Sequence, residues 1–167
     1  MDRHYERTVI IAVPPEEVFA RMDDPSQLSS HMSRSSWMMG GGHMDMTTDA
    51  GRGRHVGSRI RLRGRVLGLD LALEEIVTER EPPRRKAWET IGAPELLVIG
   101  SYRMGFDIEP HGSGSLLRLF IDYDLPKRRR WLGHLLGPMY AKWCVDQMSK
   151  GARASGATAP RAASPIG

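Results

Sequence analysis

Glu74 and Glu75 are the residues of this chain whose type and setting could do proton chemistry. They sit in Leu71-Ala72-Leu73-Glu74-Glu75-Ile76-Val77-Thr78, an apolar-rich run that reads as a strand, so their side chains project to opposite faces. Glu75 is in phase with Leu71 and Leu73, which would turn it inward, where lost hydration raises a carboxyl group towards the range of a general acid or base. A β-bulge or the strand end would instead leave both carboxylates in solvent. Other chemistry has less support. His31, His43 and His55 have no partner at H-x-x-x-H spacing and there is no C-x-x-C, so no metal site and no cofactor are expected. Cys144, the only cysteine, follows Trp143 on a helical stretch and reads as a packed thiol, and no G-x-S-x-G elbow exists.

A second group of residues could hold an apolar molecule. Methionine is soft and adaptable, and Met22, Met32, Met38, Met39, Met44, Met46, Met104, Met139 and Met148 suit either a cavity for a flexible ligand or ordinary core filling. Trp88, Tyr102, Phe106, Tyr123, Tyr140 and Trp143 fall at positions facing the expected interior, where a ligand carbonyl or hydroxyl could satisfy their polar tips. The candidate ligand-binding residues are Trp37, Met39, Met44 and Met46 near the start of the sheet, and Ile60, Leu62 and Trp88 on the next strands. Tyr102, Met104, Phe106, Leu119 and Ile121 follow on later strands, and Leu136, Tyr140 and Trp143 on the last helix.

The elements that must position these groups are legible from periodicity. Val9 to Val13 is an apolar β-like run stopped by Pro14-Pro15, which suit a first helical turn, and Glu16 and Glu17 place negative charge where the helix dipole favours it. Asp23-Asp24-Pro25 ends that helix, and Ser26 to Met32 reads as a second short one. Trp37-Met38-Met39 runs into Gly40-Gly41-Gly42, a hinge that could gate a cavity. His43 to Thr48, Arg59 to Val66, Leu71 to Thr78, Lys86 to Ile91, Tyr102 to Glu109 and Leu117 to Tyr123 then read as strands joined by turns, the signature of one antiparallel sheet. From Lys127 the period becomes helical. Trp131, Leu132, Leu135, Leu136 and Met139 form the expected apolar stripe, which drifts beyond Pro138 to Tyr140, Trp143, Cys144, Gln147 and Met148.

With 40% hydrophobic residues in 167, the chain can bury a core without disulfide or metal, so one domain over residues 1–153 is expected, with residues 154–167 a disordered tail. The charged start of the chain and the shortness of the apolar run behind it argue against a signal segment or membrane span and predict a cytoplasmic protein. A net charge of +4, mostly scattered arginine, does not make a nucleic-acid binder, and a monomer or homodimer is expected. Two basic features stand out. Arg59, Arg61, Arg63 and Arg65 form a ladder that could meet phosphates or simply solvate an outer sheet face opposite Asp70, Glu74 and Glu109. Lys127, Arg128, Arg129 and Arg130 oppose the dipole of the helix they begin, and ahead of Trp131 they read as an anionic-membrane contact or as a solvated helix end.

The opening A-x-P-P-E-E-V-F-x-x-x-D-D-P, the segment Val77 to Glu89 with its Pro82-Pro83 before a strand carrying Trp88, and the Tyr140-x-x-Trp143-Cys144-x-x-x-Met148 helix occur in an order that resembles the START-like (SRPBCC) helix-grip superfamily, specifically its polyketide cyclase/dehydrase and lipid-transport group. The resemblance covers roughly Tyr5 to Arg153. It implies an α+β fold in which a curved antiparallel sheet of about seven strands grips a long C-terminal helix, with two short helices after the first strand. It also implies a cavity for an apolar small molecule. Binding or transfer of a lipid- or polyketide-like ligand is the function this implies. Cyclisation or dehydration by acid/base chemistry in the same cavity, and a co-chaperone-like module working through its sheet surface, are the alternatives.

Overall fold

A computed structural model describes residues 1–24, 43–66, 69–96, 98–126 and 130–154. Seven strands form one antiparallel sheet in the order β1-β7-β6-β5-β4-β3-β2. They are β1 Arg3–Ile11, β2 His43–Thr48, β3 Arg59–Val66, β4 Leu69–Glu81, β5 Arg85–Glu95, β6 Tyr102–His111 and β7 Gly114–Tyr123. Two helices lie among the described residues, α1 Pro15–Met22 and α2 Arg130–Ala154. This is the helix-grip arrangement that the resemblance implies. The second short helix expected over Ser26–Met32, the Gly40–Gly42 hinge and residues 155–167 fall outside the described residues.

Local chemistry explains the entry to the fold. Pro14 is extended and Pro15 opens α1, so the first helical positions need no amide donor, and Glu16 and Glu17 face the positive end of the dipole. Val18, Phe19 and Met22 form the buried face of α1. Phe19 meets Phe106 of β6 edge-on, with ring centroids 5.7 Å apart, a geometry worth about 0.5–1.5 kcal/mol beyond area burial. β1 is longer than its apolar run predicts and begins at Arg3, because it pairs with β7 along its whole length.

The sheet has one dry face and one wet face. On β3 the odd-numbered arginines are exposed while Ile60 and Leu62 are buried. On β4 Leu71, Leu73, Glu75 and Val77 point inward. Register shifts between β4 and β5 at Ala72/Glu74 and at Val77/Glu79 bend the sheet on either side of Glu75.

The long helix sits differently from its predicted stripe. Trp131 and Leu135 are each 69% exposed and Met139 49%, whereas Ala141, Cys144, Val145, Met148 and Ala152 are buried. The reason is close approach. A Cβ at Gly133 would stand 2.4 Å from Cδ of Pro126 and 3.1 Å from the carbonyl oxygen of Val98, and one at Gly137 would stand 3.4 Å from both the Tyr123 ring and that same carbonyl. The first half of α2 therefore docks through bare backbone, and its larger apolar groups face outward. No helix among the described residues is long and apolar enough to cross a membrane.

Candidate functional site

Three strands bring a small polar cluster to the middle of the dry face. Glu75 on β4 is directly opposite Ile60 on β3 and Thr90 on β5. Its side chain is buried, which excludes the solvent-facing alternative: the two bulges flank it, and the register between Glu74 and Val77 stays regular. Tyr102 of β6 donates its hydroxyl to Glu75 Oε1, and the Trp88 indole of β5 is a second donor. Tyr102 is itself held in place, since its backbone N–H donates to Thr90 Oγ1 at 3.0 Å. Glu74, one residue earlier, lies on the outer face with Arg59 and Arg61.

The electrostatics follow from burial without a cation. Burial pushes the Glu75 carboxyl up to about 7, and the Tyr102 and Trp88 hydrogen bonds, which favour the charged form, only moderate that rise. The Tyr102 phenol is driven well above its ordinary value by burial and by the neighbouring carboxyl. Across from the sheet, α2 contributes Tyr140, whose hydroxyl donates to Cys144 one turn on. The Cys144 thiol is pushed up to about 12, chiefly by burial, so it stays protonated and poorly nucleophilic. Glu75 acts electrostatically on both Tyr140 and Cys144, which makes the four groups one cluster spanning sheet and helix. Chemically, such a cluster can hydrogen-bond a carbonyl or hydroxyl, and it can exchange a proton near neutral pH.

Most predicted site residues share this face. Ile60, Leu62, Trp88, Tyr102, Met104, Leu119 and Ile121 are buried on the inner side of the sheet. Trp88 lies opposite Met104, and Met104 opposite Ile121, so the three make one row across β5, β6 and β7. Leu136, Tyr140 and Trp143 are half-buried on α2, and the rings of Tyr140 and Trp143 lie 5.7 Å apart. Phe106 is fully buried but belongs to the packing beneath α1, against Phe19. Met46 on β2 is half-buried against the core, while Met44 lies opposite Gly64 of β3. Trp37, Met39, His31 and Lys127 to Arg129 lie outside the described residues. Arg130, the last of the basic run, is exposed and opens α2.

Three of the four ladder arginines are matched by carboxylates on the neighbouring strand, and Arg63 lies opposite Ala72. Arg59 and Arg61 reach Glu74 at 3.3 Å, and Arg65 reaches Asp70 at 3.0 Å. Glu109 takes no part, because β6 is separated from β3 by β5 and β4.

One cluster was not anticipated from the residues. Lys86 is almost fully buried and donates through Nζ to the backbone oxygen of Asp23 at 2.6 Å and to its Oδ1 at 2.9 Å. Arg80 donates to the same carboxylate at 3.0 and 2.9 Å. Burial alone would raise Asp23, but the two cations hold it below its usual range. The available signal was phase: Lys86 lies opposite Phe106 as Trp88 lies opposite Met104, so it must point inward with them.

The comparisons agree with this fold. The chain is similar to a protein of Chromobacterium violaceum, at 16% identity with a TM-score of 0.63 over 93% of this chain and 97% of that one. Norcoclaurine synthase from Thalictrum flavum, solved in complex with dopamine and hydroxybenzaldehyde, is 13% identical with a TM-score of 0.63 over 90% and 83% of the two chains. The ginseng major latex-like protein 151 from Panax ginseng is 11% identical with a TM-score of 0.56 over 93% and 98%. At these identities the shared property is the fold. No curated protein sequence matches the chain. A family model does: it spans residues 2–157, from the first strand to the end of the gripped helix, and by that match the chain belongs to the polyketide cyclase / dehydrase and lipid transport family.

Proposed function

We propose that the protein binds a small hydrophobic ligand, lipid- or polyketide-like and carrying at least one oxygen, between the inner face of the sheet and α2. The observation that carries this reading is the isolated polar cluster of Glu75, Tyr102 and Tyr140 set in an otherwise apolar face. Apolar walls supply affinity, and a few fixed polar groups supply orientation. Family membership supports a ligand-binding role, and norcoclaurine synthase holds its two small aromatic molecules on the same fold. Native mass spectrometry of gently purified protein tests the reading, with a retained small molecule as the expected result. Leu136→Trp should fill the space beside α2, suppress uptake of an apolar fluorescent probe and cost roughly 1–3 kcal/mol by overpacking. A bare protein mass together with undiminished probe binding by Leu136→Trp removes the reading.

Cyclisation or dehydration at the same place is a second reading, favoured by one observation: burial holds the Glu75 carboxyl at about 7. A carboxyl in that range can take a proton from a carbon next to a ketone and return it to a leaving hydroxyl, which departs as water. Glu75→Gln would then retain a molecule heavier by one water than the molecule retained by the parent. A cyclisation that keeps every atom leaves the mass unchanged and is read from chromatographic retention, so retained molecules identical in both mass and retention support binding without turnover.

A further inference from the structure

The outward side of α2 carries three large apolar groups in a row. Trp131, Leu135 and Met139 are spaced four residues apart, so they lie along one stripe of the helix, and all three are exposed. Exposed apolar groups scattered singly need no account, whereas a continuous ridge marks a surface that something covers. The ridge is fixed in place. Gly133 and Gly137 dock the opposite side of the helix against Pro126, Val98 and Tyr123, so rolling the ridge inward would drive side chains into that backbone contact.

Charge says what covers it. The exposed cations of α2 are Arg130, Lys142, Lys150 and Arg153, and none of them has an ion-pair partner among the described residues. The one acid of the helix, Asp146, is taken by Arg7 of β1. A second copy laid ridge to ridge would bring these cations towards their own equivalents with no unpaired carboxylate on the helix to answer them. An anionic lipid surface answers both features at once, because tryptophan favours the headgroup level and each lysine or arginine near such a surface adds attraction.

We propose that the outer face of α2, formed by Trp131, Leu135, Met139, Lys142 and Arg153, which share one side of the helix, is a peripheral docking surface for anionic bilayers, with the helix lying flat in the interface. The proposal is independent of what the inner face binds. Co-sedimentation with phosphatidylcholine vesicles, with and without phosphatidylglycerol, tests it at low and high salt. The parent should bind the anionic vesicles, leave the neutral ones and be released by salt as the attraction is screened. Trp131→Ser with Leu135→Ser, and separately Lys142→Gln with Arg153→Gln, should each weaken binding roughly tenfold or more. All four side chains are in solvent, so both variants should keep the parent's melting temperature, which is measured alongside. Failure of the parent to bind, equal binding to both vesicle types, or unchanged binding by both folded variants overturns the proposal. So does a parent dimer in sedimentation equilibrium that dissociates in the Trp131/Leu135 variant, which would give the ridge to a second copy.

Discussion

Asp23 and Glu75 are both buried carboxylates, and their surroundings are opposite in kind. Asp23, at the end of α1, is gripped by Lys86 and Arg80, whose charges more than offset its loss of hydration. Glu75, at the centre of the sheet, meets only uncharged donors, so its proton is retained until near neutral pH. The first arrangement ties α1 to β4 and β5 and makes sense as architecture. The second lowers stability whenever the carboxyl ionises, and an apolar residue of similar size would avoid that loss. A buried acid left without a cation is therefore the better marker of function, and Asp23 shows that this fold can supply cations where structure alone is at stake.

The contrast can be broken most severely at Asp23. Asp23→Asn leaves the Lys86 ammonium buried with only neutral acceptors, and urea denaturation should show a loss of about 3–5 kcal/mol. Glu75→Gln should do the reverse at alkaline pH. The unfolded carboxyl ionises near 4.5 and the folded one near 7, so between those values the folded chain binds the extra proton and the parent loses stability as pH rises. That loss is on the order of 3 kcal/mol and levels off above pH 7. Glu75→Gln should abolish the slope, leaving the variant close to the parent at pH 4.5 and more stable at pH 8. The Asp23 contribution has the opposite sign: it is present above about 3.8 and is lost as pH falls further.

Tyr102→Phe sharpens the comparison from the other side. Removing a donor that favours the ionised form should raise the Glu75 midpoint further, read by carboxyl carbon NMR, and cost roughly 1–2 kcal/mol. Arg80→Gln should have the smallest effect, about 1 kcal/mol or less in urea, because Arg80 is partly solvated and Lys86 still holds the carboxylate.

Much of the fold was legible in local pattern. Alternation from Arg59 to Val66 and from Tyr102 to Ile108 marks strands with one buried face, and the same alternation aims Glu75 inward in phase with Leu71 and Leu73. The orientation of α2 was not legible, because hydrophobic periodicity weights large side chains. Gly133, Gly137 and Ala141 carry almost no such signal, yet they decide which side of the helix can approach the sheet. The Asp23 clasp was hidden for another reason. Its residues come from the end of α1 and from the β4–β5 hairpin, far apart in sequence, and only the pairing of Lys86 with Phe106 brings the lysine beneath α1.

The pairing of β1 with β7 also governs how the protein is made. Arg3 faces Tyr123 and Ile11 faces Ser115, and β7 is the only strand that β1 pairs with among the described residues. Of the seven strands of this sheet, the first to be made therefore waits for the last before it can form its ladder, and contacts so distant in sequence close slowly. Throughout that wait Val9 and Ile11 have no core to enter, and an unpaired edge is open to chaperones or to neighbouring nascent chains. How long the nascent chain spends in that state is set by the rate at which translation delivers Gly114–Tyr123.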